Sequence, residues 1–207
     1  MLKPLETKEM QEKRIKKRNI IFGVIIAVIM IAGTVGWALS GREKTNQEEY
    51  NGFKFIKQEN YWQTSVSIYG SNFLLRTSYL PREVENITSK SRTLSLEKIY
   101  GKTLYVVLDS AIEQEPVREL ALNLQNFVER IQIACSENVS EESISFCSDK
   151  PVKGCDDATL ENAIIVFEEK NLTKLEYKAG CLQIQAQESD FLRASDKALF
   201  LIFGIMT

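Results

Sequence analysis

Residues 20–39 read IIFGVIIAVIMIAGTVGWAL, twenty consecutive positions without a charge. A bilayer core of about 30 Å takes about 20 apolar residues as a helix, so the run matches one membrane crossing. A soluble helix of that length would show a polar face, and none is present. Trp37 near the far end suits the interfacial belt, where an indole keeps its N–H in water. A cleaved signal peptide is the competing reading, because Ala38-Leu39-Ser40 resembles a small-x-small cleavage site. Its apolar region would be longer than the usual 7–15 residues, and its leading segment would run to 19 residues. No Cys lies directly after the run to take a bacterial lipid anchor. The sequence therefore predicts an N-terminal transmembrane helix over 20–39, in contact with membrane lipid.

Flanking charge orients the helix. Lys3, Lys8, Lys13, Arg14, Lys16, Lys17 and Arg18 precede it, and only Arg42, Lys44, Lys54 and Lys57 follow it up to residue 57. The excess of cations on the N-terminal side predicts a basic cytoplasmic tail over 1–19 and a single-pass signal-anchor. That tail can also rest on anionic headgroups. Gly23 and Ala27 share one face of the helix, as do Ala32, Gly36 and Ser40, a spacing that lets two helices approach and allows a homodimer.

Removing the seven cations and three acids of residues 1–19 from the chain totals of 26 and 28 leaves 19 positive against 25 negative charges, a net of −6. A mildly acidic outer part argues against nucleic acid as a partner. Residues 40–50 are polar and read as a linker. Residues 51–207 then have the size of one domain, and no repeat or low-complexity stretch interrupts them.

This outer domain opens with three aromatic and β-branched runs, GFKFIK (52–57), YWQTSVSIY (61–69) and NFLLRTSYL (72–80). Their tight spacing predicts an antiparallel meander. Pro81 ends the third run, and PREVENI reads as a turn or helix start. LYVVLD (104–109) is continuously apolar, as a strand buried on both faces would be. Across EPVRELALNLQNFVERI (115–131), Val117, Leu120, Leu124, Phe127, Val128 and Ile131 recur at helical spacing. IQIAC (131–135) can continue as a strand, giving a strand–helix–strand unit. AIIVFEE (163–169) and KLEYKAGCLQIQA (174–186) read as two more strands, the second kinked at Gly180. Ser189 is the expected N-cap of a C-terminal helix whose apolar face holds Phe191, Leu192, Leu199, Ile202 and Phe203. ALFLIFGIM is too short to span a membrane, so this helix docks into the core or lies on a surface. The predicted class is a mixed α/β (α+β) domain behind a membrane anchor.

The composition excludes several chemistries. The chain has no His, which removes Ser-His-Asp triads, Cys-His dyads and imidazole metal ligands. Its four cysteines, Cys135, Cys147, Cys155 and Cys181, all follow the apolar run. An even number in an exported domain predicts two disulfides, with three connectivities open. The favoured pairing is Cys147–Cys155, closing the SDKPVKG loop, with Cys135–Cys181 tying two strands. The gaps lack the C-x-x-C knuckle of structural zinc sites and of thiol-exchange catalysts, so neither a metal nor a redox role is expected. Nothing in the sequence asks for a cofactor. Asn86, Asn138 and Asn171 head N-x-[ST] sequons and are glycosylation candidates on the outer side.

Gly101-Lys102-Thr103 echoes the end of a phosphate loop, but position 96 is Leu where the motif needs Gly, and a strand follows where a helix should. Ser95-Leu-Glu-Lys98 matches a bare S-x-x-K without its companion motifs. Asp109 at a strand end, with Asp156 of Asp156-Asp157, is the first place to look for a catalytic carboxylate pair, although caps and turns are the commoner use of such residues. Phe53, Phe55, Tyr61, Trp62, Tyr69 and Phe73 concentrate in the meander. Half of them should face inward, and the other half could form a binding face.

The segments YLPREVENI (79–87) and CDDA (155–158), with Cys181 and the closing apolar helix, resemble uncharacterised single-pass membrane proteins of archaeal type over most of residues 50–206. That resemblance implies an envelope-exposed domain and carries over no catalytic residue. The functional expectation is a membrane-anchored binding or structural envelope domain that meets a protein partner or a second copy of itself. The alternatives are an envelope hydrolase using carboxylates and a thiol-redox protein.

Overall fold

The computed structural model describes residues 16–30, 46–90, 93–108, 114–137, 139 and 141–207. Two compact units result, one up to Asn46 and one over Gln47–Thr207. In the first, α1 is helical over the described residues 16–30, with its apolar side chains exposed, Ile29 at 64% and Met30 at 68%. Residues 31–39 of the predicted span lie outside the described residues, as do 40–45 of the linker. Among the described residues no helix is long and apolar enough to cross a membrane.

The second unit is a mixed α/β domain with two sheets. Strands β1 (Gln47–Tyr50), β2 (Phe53–Gln58), β3 (Tyr61–Ile68) and β4 (Ser71–Thr77) form an antiparallel meander in that order. The three predicted runs are all strands, and β1 takes the last four residues of the expected linker. The other sheet has six strands in the order β5-β9-β10-β8-β6-β7. They are β5 (Thr88–Lys90), β6 (Thr103–Val107), β7 (Arg130–Ala134), β8 (Asn162–Glu169), β9 (Lys174–Lys178) and β10 (Cys181–Ala186). Only the β9–β10 pair runs antiparallel. All five residues of β6 are buried, as a central strand with both faces covered requires.

Between β6 and β7 lies α2 (Gln114–Leu124), so the strand–helix–strand unit forms as the sequence predicts. The helix stops at Leu124 rather than running to 131, yet Phe127 and Val128 are still buried in the turn that follows. Their helical spacing marked burial, not helix. A one-turn helix, α3 (Ile144–Cys147), sits in the cysteine loop. The expected kink at Gly180 is a full reversal, because Ala179 and Gly180 both have positive φ, +49° and +90°, and close the β9–β10 hairpin.

The C-terminal helix α4 (Phe191–Ile202) is the centre of this second unit. Every residue from Ala194 to Ile202 is buried. Phe200 packs edge-on against Phe55 of β2 at 5.9 Å, and Phe191 against Phe167 of β8 at 5.2 Å, so the helix is held between the two sheets. It is a docked core helix, not a surface tail. Ser189 is not its N-cap. Glu188–Asp190 form a 3₁₀ turn that leads into the helix, which places Asp190 at the cap position.

All four cysteines are paired, but as Cys135–Cys147 and Cys155–Cys181, with Cα–Cα distances of 5.9 and 5.2 Å. The expected partners were wrong because of strand order. Cys181 opens β10 and is level with Ile164, Tyr105 and Gln132 across the sheet. Cys135 follows the far end of β7, three strands away, a gap of roughly 14 Å at about 4.8 Å per strand. A disulfide bridges Cα atoms only up to about 7 Å apart. The turn before β8 instead carries Cys155 past the start of β10.

Candidate functional site

β4 is one of the two edges of the meander, and α2 and α4 use their side chains to satisfy it. The Asn123 amide lies against Arg76 like an added strand residue. Its Oδ1 accepts the Arg76 N–H at 2.9 Å, and its Nδ2 donates to the Arg76 carbonyl at 2.7 Å and to the Glu119 carbonyl at 2.8 Å. Beyond it, Glu119 Oε1 accepts the Ser78 N–H at 2.7 Å and Oε2 accepts the Ser78 hydroxyl at 2.8 Å. Asp196 Oδ2 accepts the next amide, Tyr79 N–H, at 2.7 Å. An edge strand covered in this way cannot template pairing with another chain at those positions.

Beside this seam lies a cleft of about 420 Å³, lined by Asn60, Tyr61, Arg76, Thr77, Glu115 and Arg118 among others, with Leu122 and Leu192 as apolar walls. The volume falls in the range of small-ligand sites. Among the described residues Glu115 and Arg118 have no hydrogen-bond or ion-pair partner. The Arg76 guanidinium rests over the Tyr61 ring at 5.4 Å. Thr77 is 1% exposed, and its hydroxyl has no hydrogen-bond partner among the described residues. By contrast, Asn123 is spent on backbone groups and Glu119 on the Ser78 amide and hydroxyl.

Two ionisable residues of α4 are buried. Asp196 has no exposure, and its Oδ1 has no hydrogen-bond partner among the described residues. Burial, followed by the neighbouring Glu119 carboxylate, holds the Asp196 carboxyl well above the usual carboxylate range. Burial lowers the Lys197 ammonium, against the opposing pull of Glu85.

The carboxylates singled out from sequence do not form this site. Asp109 lies outside the described residues. Asp156 is exposed in the 3₁₀ turn Cys155–Asp157, where its neighbour Asp157 does the bonding. The Gly154 amide and then the Lys153 ammonium hold Asp157 below its ordinary value, the role of a turn-forming residue. Lys102 directly precedes β6, not a helix, and Ser95 caps the 3₁₀ turn Leu96–Lys98, in which the Lys98 N–H donates to the Ser95 carbonyl at 3.0 Å, a turn bond and not a Ser–Lys side-chain pair. Asn86 and Asn171 are exposed, and Asn138 lies outside the described residues. Of the meander aromatics, Phe55 is core, Tyr61 lines the cleft and Tyr69 is 72% exposed.

Sequence reasoning missed Glu119 and Asp196. A signal was present for the second, a carboxylate inside FLRASDKALFLI, the most apolar helix of the domain. Compared with protein-family models, with curated proteins and with solved structures, the chain finds no match in any of the three.

Proposed function

We propose that the chain is a membrane-anchored extracytoplasmic binding domain whose ligand site is the cleft between β4 and α2. In this reading residues 20–39 span the membrane, 1–19 stay in the cytoplasm, and the unit from Gln47 faces outside. The cysteines support that side, since two disulfides persist in an oxidising compartment and are rare in the cytosol. The resemblance to archaeal single-pass proteins points the same way.

The observation that carries the binding reading is the division of labour in the cleft. Among the described residues Arg118 and Glu115 have no hydrogen-bond or ion-pair partner and stand ready for a ligand beside the Arg76–Tyr61 stack, while the Glu119 and Asp196 carboxylates are tied to Ser78 and Tyr79. The same pair is what favours a second reading, an envelope hydrolase, because two adjacent carboxyls with one raised pKa are a recurring acid–base arrangement. Both Glu119 oxygens already accept from Ser78, which turns the carboxyl toward the chain and not toward a substrate, so binding is preferred.

Site-specific photo-crosslinking in intact cells tests the proposal, with a photoreactive residue at Asn60 or Arg118 and at Leu160 as an off-site control. Adducts formed only from the cleft positions support it. Adducts from all positions alike, or from none, sink it. Gel-shift counting of thiols in native membranes tests the compartment. No shift before reduction and four after are expected, whereas four shifts without reductant would place the domain in a reducing compartment.

A further inference from the structure

Ser78 and Tyr79 join β4 to the 3₁₀ turn Pro81–Val84, and Ser78 forms part of the cleft wall. Their amides are held by two carboxylates from two different helices, Glu119 of α2 and Asp196 of α4. Asp196 Oδ2 accepts the Tyr79 N–H, while its second oxygen, Oδ1, is fully buried and without a hydrogen-bond partner among the described residues. Two ionised carboxylates side by side are costly when one of them, Asp196, is fully buried. A proton on that oxygen supplies the missing hydrogen bond and removes one charge.

We propose that Glu119 and Asp196 share one proton, and that this proton latches the Ser78–Val84 segment to helices α2 and α4. The cleft wall then loosens when the pair loses the proton. This goes beyond the binding reading and does not depend on which ligand the cleft takes.

Among the described residues the pair has no ion-pair partner. On α4, Arg193 is committed to Asp190, to the Glu83 carbonyl and to Asn86, and Lys197 is within the electrostatic reach of Glu85. On β4, Arg76 lies over Tyr61 of β3. Arg118 and Glu115 of α2 line the open cleft.

The sign of the pH effect follows. A carboxyl whose pKa is raised in the fold binds its proton more tightly there than in the unfolded chain. Its contribution is complete below the ordinary carboxylate range and is lost as the pH rises through the raised value. The latch is therefore closed in acid and open in base.

Amide hydrogen exchange on the full-length chain in detergent micelles, between about pH 5 and 9 and normalised to intrinsic rates, reads the latch directly. Protection of the peptide covering 78–84 should fall about tenfold or more, the equivalent of one unit of pKa linkage, while the β6 amides stay unchanged. In Asp196→Asn the side-chain carbonyl still accepts from Tyr79 and the NH₂ donates to Glu119, so protection should be flat with pH. A flat wild type, an equal fall in both proteins, or loss of β6 protection together with 78–84 overturns the proposal. A carboxyl ¹³C titration of aspartate-labelled wild type gives the answer even if the variant fails to fold. An Asp196 midpoint in the ordinary carboxylate range, about 4, overturns it too, and a midpoint well above it supports it.

Discussion

Tyr69 and Gly180 occupy turn positions with opposite consequences. Tyr69 is the first residue of the two-residue β3–β4 turn, with φ +50°, and its ring meets Tyr100 edge-on at 5.6 Å. A bulky L-residue in that region costs about 1–2 kcal/mol, and Asn tolerates it far better. Tyr69→Asn should therefore raise stability by about 0.5–1 kcal/mol in a thermal melt, after the loss of an exposed ring contact is subtracted. A lower midpoint would mean that the Tyr100 contact outweighs the backbone cost. Gly180, at φ +90°, has no such slack, since an added Cβ would stand 3.3 Å from the Ala158 Cβ. Gly180→Ala should cost about 1–2 kcal/mol and loosen the turn beside the Cys155–Cys181 bridge.

Among the elements, β4 and α2 depend on each other through one amide. Asn123 is 7% exposed and makes three hydrogen bonds to backbone groups. Truncation to Ala strands the Arg76 N–H and carbonyl at a partly buried seam, at about 1–3 kcal/mol for an unsatisfied group. Asn123→Ala should thus lose about 2–3 kcal/mol in urea unfolding and speed exchange of β4 before that of β6. If the loss is below about 0.5 kcal/mol, water has replaced the amide and the seam is not what holds the edge. The meander, the strand–helix–strand unit and the buried β6 were legible in the sequence, because alternation and continuous apolar runs report burial residue by residue. The end of α2 was not legible. Phe127 and Val128 keep helical spacing while packing from a turn, where Phe127 meets Phe73 at 4.7 Å and Phe203 at 5.5 Å.

The whole domain carries two chain closures of different reach. Cys135–Cys147 closes 12 residues and Cys155–Cys181 closes 26. On the loop-entropy model these contribute about 2.8 and 3.5 kcal/mol. Replacing the second pair by Ser should destabilise the domain more than replacing the first, as measured by denaturant midpoint under non-reducing conditions. The reverse order would show that packing of the Cys135 loop over the β7 end matters more than loop length.

Composition and local pattern alone determined that the chain lacks imidazole chemistry, that an uncharged run of twenty residues precedes the folded unit, and that this unit mixes helices with sheets. These are properties of neighbours in sequence, and near-neighbour spacing encodes them. Which cysteines meet, and which carboxylates, depended on positions far apart in the chain. Cys155 reaches Cys181 because β8 and β10 are adjacent and parallel. Glu119 and Asp196 converge because α2 and α4 both close on the free edge of β4, so that residues 41, 77 and 117 positions apart bond to consecutive amides. Strand order and helix docking are settled by the packing of the whole core, and only the tertiary structure decides them.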